Sequence, residues 1–190
     1  MLLAGLLSTG LFLLSHHCPA SGFAFTKERR DFHRLKNRMA LPQASDFDER
    51  VTLSSLLQPG NDSARWSTSR AAAIEGYVVS VAAARPELAN CYWGCDTHIH
   101  IGSRPNAPPR EHVVLETTPR MEAWARSNGW DWSEETLKRD LIGRWVRFEG
   151  WLLFDSQHAG ESENIAPATL HNWRSTAWEI HPVTQIEVLK

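Results

Sequence analysis

Residues His112–Asp155 read HVVLETTPRMEAWARSNGWDWSEETLKRDLIGRWVRFEGWLLFD, and this stretch decides the fold. Its opening, HVVLETT, is rich in β-branched and apolar residues and reads as a strand. Pro119 then opens a segment in which Met121, Trp124 and Ala125 share one helical face, ending near Gly129. Ser133 followed by Glu134 and Glu135 has the N-cap and acidic first turn of a short helix that stops at Gly143. Arg144–Asp155 returns to strand character.

Working outward, Ala71–Ala83 (AAAIEGYVVSVAA) reads as a long first strand. In Thr97–Ile101, Ile99 and Ile101 alternate with His98 and His100, the period of a half-buried strand. Arg104–Pro109 is a proline-rich turn, and Trp178–Leu189 reads as the last strand. Five strands with helix between the third and fourth define a mainly β chain with the element order of a five-stranded OB-like barrel. Gly76 and Gly150 fall inside the first and fourth strands, where a small barrel must bend. A two-sheet sandwich would need about seven strands and lacks such a helix. In this arrangement the last strand is expected to close against the first.

The sequence has 190 residues, room for one domain and an N-terminal extension. Residues 1–24 read as a signal-like leader. Leu2–Leu14 is apolar but too short to span a bilayer comfortably, so no stable transmembrane span is expected once it is removed. Ala20, Gly22 and Ala24 offer small residues for cleavage after Ala20 or Ala24, although no Lys or Arg precedes the apolar run. Cys18 sits where a lipoprotein cysteine would, but Ser-His-His before it is a poor lipobox. The expectation is a periplasmic or secreted protein; translation from Met39 would instead give a cytosolic one. Residues 25–69 read as a flexible lead-in, with the basic run Lys27–Arg38 (KERRDFHRLKNR) taken as a solvated arm, and 70–190 as the barrel domain.

A net charge of −2 gives no global electrostatic reason to bind nucleic acid or anionic lipid. Without the leader, Cys91 and Cys95 remain, expected as a disulfide or as two inert thiols; no second cysteine pair completes a zinc site. Of nine tryptophans, Trp93, Trp130, Trp132, Trp151, Trp173 and Trp178 lie near polar groups. They read first as core filling and second as a stacking surface for a base or sugar ring.

The polar groups are Asp96, His98 and His100 in CDTHIHIG, Asp155 and His158 in FDSQH, and Glu179 and His181 in WEIHPV. Alternation places Asp96, His98 and His100 on one face of their strand, and Glu179 with His181 on one face of theirs, both away from the apolar core. The loop from Asp155 to Arg174 is the natural cover for both. His-x-His on a strand aims two imidazoles at one point, and a catalytic zinc takes three protein ligands and keeps a water. Solvent-facing strand histidines or a hydrogen-bonded polar layer account for the same residues. The Asp-x-His-x-His order of amidohydrolases is excluded, because their barrel takes about 250 residues. Pro182 holds His181 in extended geometry and removes a ladder donor, so the last strand should be kinked or edge-like where it presents the polar pair, a structural bulge serving equally well.

DTHIHIG, LIGRWVRFEGWLLFDSQH and NWRSTAWEIHPVTQIEV together resemble a group of bacterial, often exported proteins. That group is built around an Asp-x-His-Ile strand, a Phe-Asp-x-x-His turn and a Glu-Ile/Leu-His-Pro-Val strand. The likeness spans roughly Arg70 to Leu189 and carries to Asp96, His98, Ile99, Phe154, Asp155, His158, Glu179, His181, Pro182 and Val183, but not to His100. It implies a shared domain and polar site, with no activity attached. Three functions follow as expectations. The first is a divalent-metal site, zinc or manganese, with His98, His158 and His181 as ligands and Asp96 supporting them. Glu179 or Asp155 would then be the base for hydrolysis. The second is a non-catalytic module holding an oligonucleotide or oligosaccharide on Trp151, Trp178, Arg147 and Arg174, the nucleic-acid version being disfavoured by charge. The third is a structural domain whose polar cluster fixes loops.

Overall fold

The computed structural model describes residues 18–167 and 169–189. Strands β1 (Ala71–Ala83), β2 (Thr97–Gly102), β3 (Val113–Thr117), β4 (Trp145–Phe154) and β5 (Trp178–Val188) close a barrel in the order β1-β2-β3-β5-β4. Helices α1 (Lys27–Lys36) and α2 (Leu53–Leu56) precede it; α3 (Pro119–Ser127) and α4 (Glu134–Leu141) connect β3 to β4. The expected OB-like barrel with its helical insertion is therefore present, with the expected Ser133 cap on α4, while Thr118, ahead of Pro119, caps α3. Among the described residues no helix is long and apolar enough to cross a membrane. The apolar run 2–14 lies outside the described residues.

The closure differs from expectation. β5 does not meet β1; it lies between β4 and β3, antiparallel to one and parallel to the other through Leu115↔Ile180. β1 instead closes against β4, from Ala71↔Trp151 to Tyr77↔Trp145. Inward-facing Ile74, Val78, Ile99, Ile101, Leu115, Phe148, Leu152 and Ile180 fill the barrel, each 1% exposed or less. Gly76 and Gly150 sit at close approaches, as expected: a Cβ would meet Ile101 Cδ1 at 2.7 Å and Pro182 O at 2.3 Å respectively. Leu152 pairs with Ile180 and Gly150 with Val183, so His181 and Pro182 together oppose Trp151. The expected kink at Pro182 is thus a β-bulge.

Residues 25–69 are not a flexible lead-in. Phe32 and Leu35 indeed recur at helical spacing, and Thr26 Oγ1 caps α1 by accepting from Arg29 N. The helix packs against β5, and Arg38 donates to Thr68 O and to Leu152 O at 2.7 and 3.0 Å. Val51, Leu53 and Leu56 belong to the apolar core. Asp62 is fully buried, with Oδ2 accepting from Asn164 Nδ2 and Thr176 Oγ1 at 2.7 and 2.6 Å.

The cysteine pairing is also corrected. Cys91 bonds to Cys18, 73 residues away, and Cys95 is free. Three residues between Cys91 and Cys95 offered the nearer partner, but Cys91 ends the 3₁₀ turn Leu88–Asn90 in a left-handed conformation, against which residues 18–23 dock. Phe23 N donates to Leu88 O, and Asn37 Nδ2 donates to both Ala20 O and Ala89 O. Ala20, one expected cleavage point, lies within this docked turn, and Ala24, the other, directly follows it.

Candidate functional site

The outer face of β2, β3 and β5 carries the polar residues, and α1 and the loop after β4 cover it. His98 pairs with Glu116 across β2 and β3, while Thr97 pairs with Thr117. The parallel β3–β5 seam sets Glu179 and His181 beside Glu116. Asp96 joins them from just before β2. Asp96, Glu116, Glu179 and His181 are 5% exposed or less. These polar residues point away from the barrel interior, as alternation requires, yet are taken out of water by their cover.

Contacts run through the layer without a break. Lys36 Nζ, at the end of α1, lies 2.6 Å from Glu87 Oε1 and 3.4 Å from Asp96 Oδ2. Asn90 Nδ2 donates to the other Asp96 oxygen at 2.8 Å. His181 Nε2 faces Asp96 Oδ2 at 3.8 Å, and its Nδ1 faces Glu116 Oε2 at 3.1 Å and Glu179 Oε2 at 3.4 Å. Glu116 Oε1 meets His98 Nε2 at 3.1 Å. On the other side Arg174, fully buried, lies 2.7 Å from Glu179 Oε1 and 3.3 Å from Asp155 Oδ2. Asp155 Oδ2 in turn holds His158 Nδ1 at 2.6 Å.

Electrostatics follow from that chain. Burial, helped by Glu116 and Glu87, pushes the Asp96 carboxyl up to about 7, although His181 and Lys36 oppose the rise. Burial raises Glu179 too, and Glu116 adds to it. Burial would raise Glu116 as well, but His181 and His98 outweigh it and hold this carboxylate well below its usual range. Burial opposes charge on His181, yet Glu116 and Glu179 push the imidazole up to about 10. Asp155 is drawn down to about 2, because His158 and Arg174 overcome its burial. His100 has no carboxylate in contact among the described residues; burial, with His112 and His98, takes it down to about 4.

Donor atoms of Asp96, Glu116 and His181 all lie within 4.8 Å of one another, a group that could hold a metal ion. Zinc–nitrogen and zinc–oxygen bonds near 2.0–2.2 Å put tetrahedral ligand atoms ~3.5 Å apart, so the group would contract by about an ångström around an ion. Four buried atoms in this layer make no hydrogen bond: Glu116 Oε2, Glu179 Oε1, Arg174 Nη2 and His181 Nε2. The two carboxylate oxygens among them have ion-pair contacts only, at 3.1 and 2.7 Å. Buried polar atoms without a hydrogen bond call for an explanation, and a bound water or ion is one.

Of the residues expected from sequence, Asp96, His98, Glu179 and His181 come together around Glu116. His158 and Asp155 form their own pair, joined to the group through Arg174 and through the Trp173 ring, which lies against His158 and His100. Glu116 and Lys36 were not expected. Glu116 shares the face of His98 by cross-strand pairing, a signal present in HVVLETT; Lys36 lies in the basic run. Arg174 and Trp178 are buried: Arg174 Nε donates to Thr176 O at 2.7 Å and Trp178 Nε1 to Asp62 O at 2.8 Å. Trp151 lies beneath the Arg38 guanidinium, 4.7 Å from its ring centre, and donates to Ala40 O. Arg147 pairs with Glu75 and Glu149 on the barrel wall. These four present no common stacking surface.

Comparisons with known protein families, curated proteins and solved structures found no match.

Proposed function

We propose that the chain is an exported OB-like barrel that holds one divalent cation, zinc or manganese, on Asp96, Glu116 and His181, and uses it for hydrolysis. The observation that carries this reading is the convergence of those donors with the unbonded His181 Nε2 in one buried layer. One imidazole and two carboxylates suit either metal. His181 must lose its proton to become a ligand, so affinity should rise with pH. Asp155 is a poor base because Arg174 and His158 stabilise its anion. Glu179 also meets Arg174, at 2.7 Å, but burial and Glu116 outweigh that contact and raise it, so it is the better base, 3.4 Å from His181 Nδ1. His98, with a side chain 26% exposed, is where solvent reaches the group. The Cys18–Cys91 disulfide and the likeness to exported bacterial proteins support an oxidising compartment.

A second reading rests on Lys36. A cation 3.4 Å from Asp96 competes with a metal, and with Lys36, Arg174 and a protonated His181 the layer is a metal-free ion-pair network that fixes α1 and the loop after β4. Elemental analysis of protein purified without affinity histidines or chelator separates the two. One transition metal per chain, lost in Asp96→Asn and Glu116→Gln, is the expected result. Protein that stays metal-free after incubation with zinc or manganese overturns the metal reading and leaves the ion-pair layer.

A further inference from the structure

One cluster of indoles lies away from this layer. Trp124, Trp130 and Trp132 gather where the connection between α3 and α4 runs beside the end of β5. Trp130 and Trp132 are stacked within 11° with ring centres 6.3 Å apart, and Trp124 lies 5.5 Å from Trp130 and 6.0 Å from Trp132. Trp132 is 8% exposed and belongs to the core, whereas Trp130 stays 53% exposed. Core packing therefore accounts for Trp132 and leaves an indole face of Trp130 unused. All three line a cavity of about 850 Å³ whose far wall is formed by residues 184–188 of β5. That size is suited to a small organic ligand.

The polar lining narrows the ligand. Asp131 is already bonded to Ser133 N and Thr136 Oγ1, and Asp140 to Arg139. Gln185 and Glu187 also line the cavity, are exposed, and have no side-chain partner among the described residues. An amide and a carboxylate free to bond beside a flat indole match a pyranose ring, which offers an apolar C–H face and hydroxyls that both donate and accept. Three carboxylates against one guanidinium, itself paired with Asp140, disfavour phosphates and uronic acids.

We propose that this cavity binds an uncharged oligosaccharide, one ring stacking on Trp130 and its hydroxyls bonding Gln185 and Glu187. The site is independent of the metal reading.

The test is tryptophan fluorescence titration of the full chain with hexasaccharides of β-linked glucose, of N-acetylglucosamine and of mannose. A hexamer of galacturonic acid serves as the charged control. Saturable binding of at least one neutral sugar is expected, weakened about tenfold or more in Trp130→Ala, or ~1.4 kcal/mol. Gln185→Ala, an exposed change that leaves the core intact, should weaken the same sugar at unchanged melting temperature. Absence of saturable binding by all three neutral sugars overturns the proposal. So does wild-type affinity in both variants, or tighter binding of the galacturonate.

Discussion

Lys36→Met removes the one cation that α1 delivers to the buried layer while keeping a side chain of similar length in its channel. Lys36 is 11% exposed and lies 2.6 Å from Glu87 and 3.4 Å from Asp96. Deleting one partner of a buried ion pair typically costs about 3–5 kcal/mol. Two features of this site reduce that cost. The Glu87 side chain is 28% exposed, so water can solvate it, and Asp96, already pushed up to about 7, can take a proton instead. A loss of about 2–3 kcal/mol at pH 8 follows, or roughly 4–12 °C in melting temperature for a chain of this size. The loss should depend on pH in a set direction. Asp96 titrates higher in the folded state than its ordinary 3.8, so the native protein binds the extra proton and stability falls as pH rises through 3.8 toward 7. Without Lys36 the folded value climbs further, so the fall continues above pH 7 and the gap to wild type widens from pH 5 to pH 8. Thermal unfolding of chelator-treated protein, followed by circular dichroism across that range, measures it. A gap under ~0.5 kcal/mol at pH 8, or one that widens toward acid, would refute the reasoning.

Two further outcomes follow. Cys18→Ser opens a loop closed over 73 residues, which by chain entropy should cost about 4 kcal/mol; an unchanged melting temperature on adding dithiothreitol to wild type would contradict it. Asp155, drawn down to about 2 by His158 and Arg174, supplies stability above 3.8 that is lost as pH falls toward 2. Asp155→Asn should therefore flatten the acid limb by about 2 kcal/mol in fluorescence-monitored acid unfolding, and identical limbs would exclude that role.

The strands and inserted helices were legible because each has a local signature: alternation at Ile99 and Ile101, starts at Pro119 and Ser133, and stops at Gly129 and Gly143. The polar face of β2 and β5 was legible for the same reason. What remained hidden depended on pairing. Glu116 looks like the single charged residue of a mostly apolar strand until its register opposite His98 is known. Lys36 looks solvated among its basic neighbours, because nothing local says that α1 lies across β5 with its C-terminal end over Asp96. Cys18 is masked by the leader-like run before it, and its bond to Cys91 is set by the docking of residues 18–23 on the turn at Leu88–Asn90. Arg174 and Trp178 carry functional-looking chemistry, yet the loop after β4 and the lead-in bury both.

The seam between β3 and β5 has a consequence for the order of assembly. Glu116 and Asp96 belong to the early hairpins, while His181 and Arg174 arrive only with the last strand and the loop before it. Until that strand docks, Asp96 and Glu116 lack His181, which lies between them, and only Lys36 and the partly exposed His98 face them. Sealing the barrel and neutralising its outer polar layer are therefore one event. A chain that stalls before it would display the open sheet edge together with Asp96 and Glu116 still in water, so that edge would stay hydrated until the strand arrives.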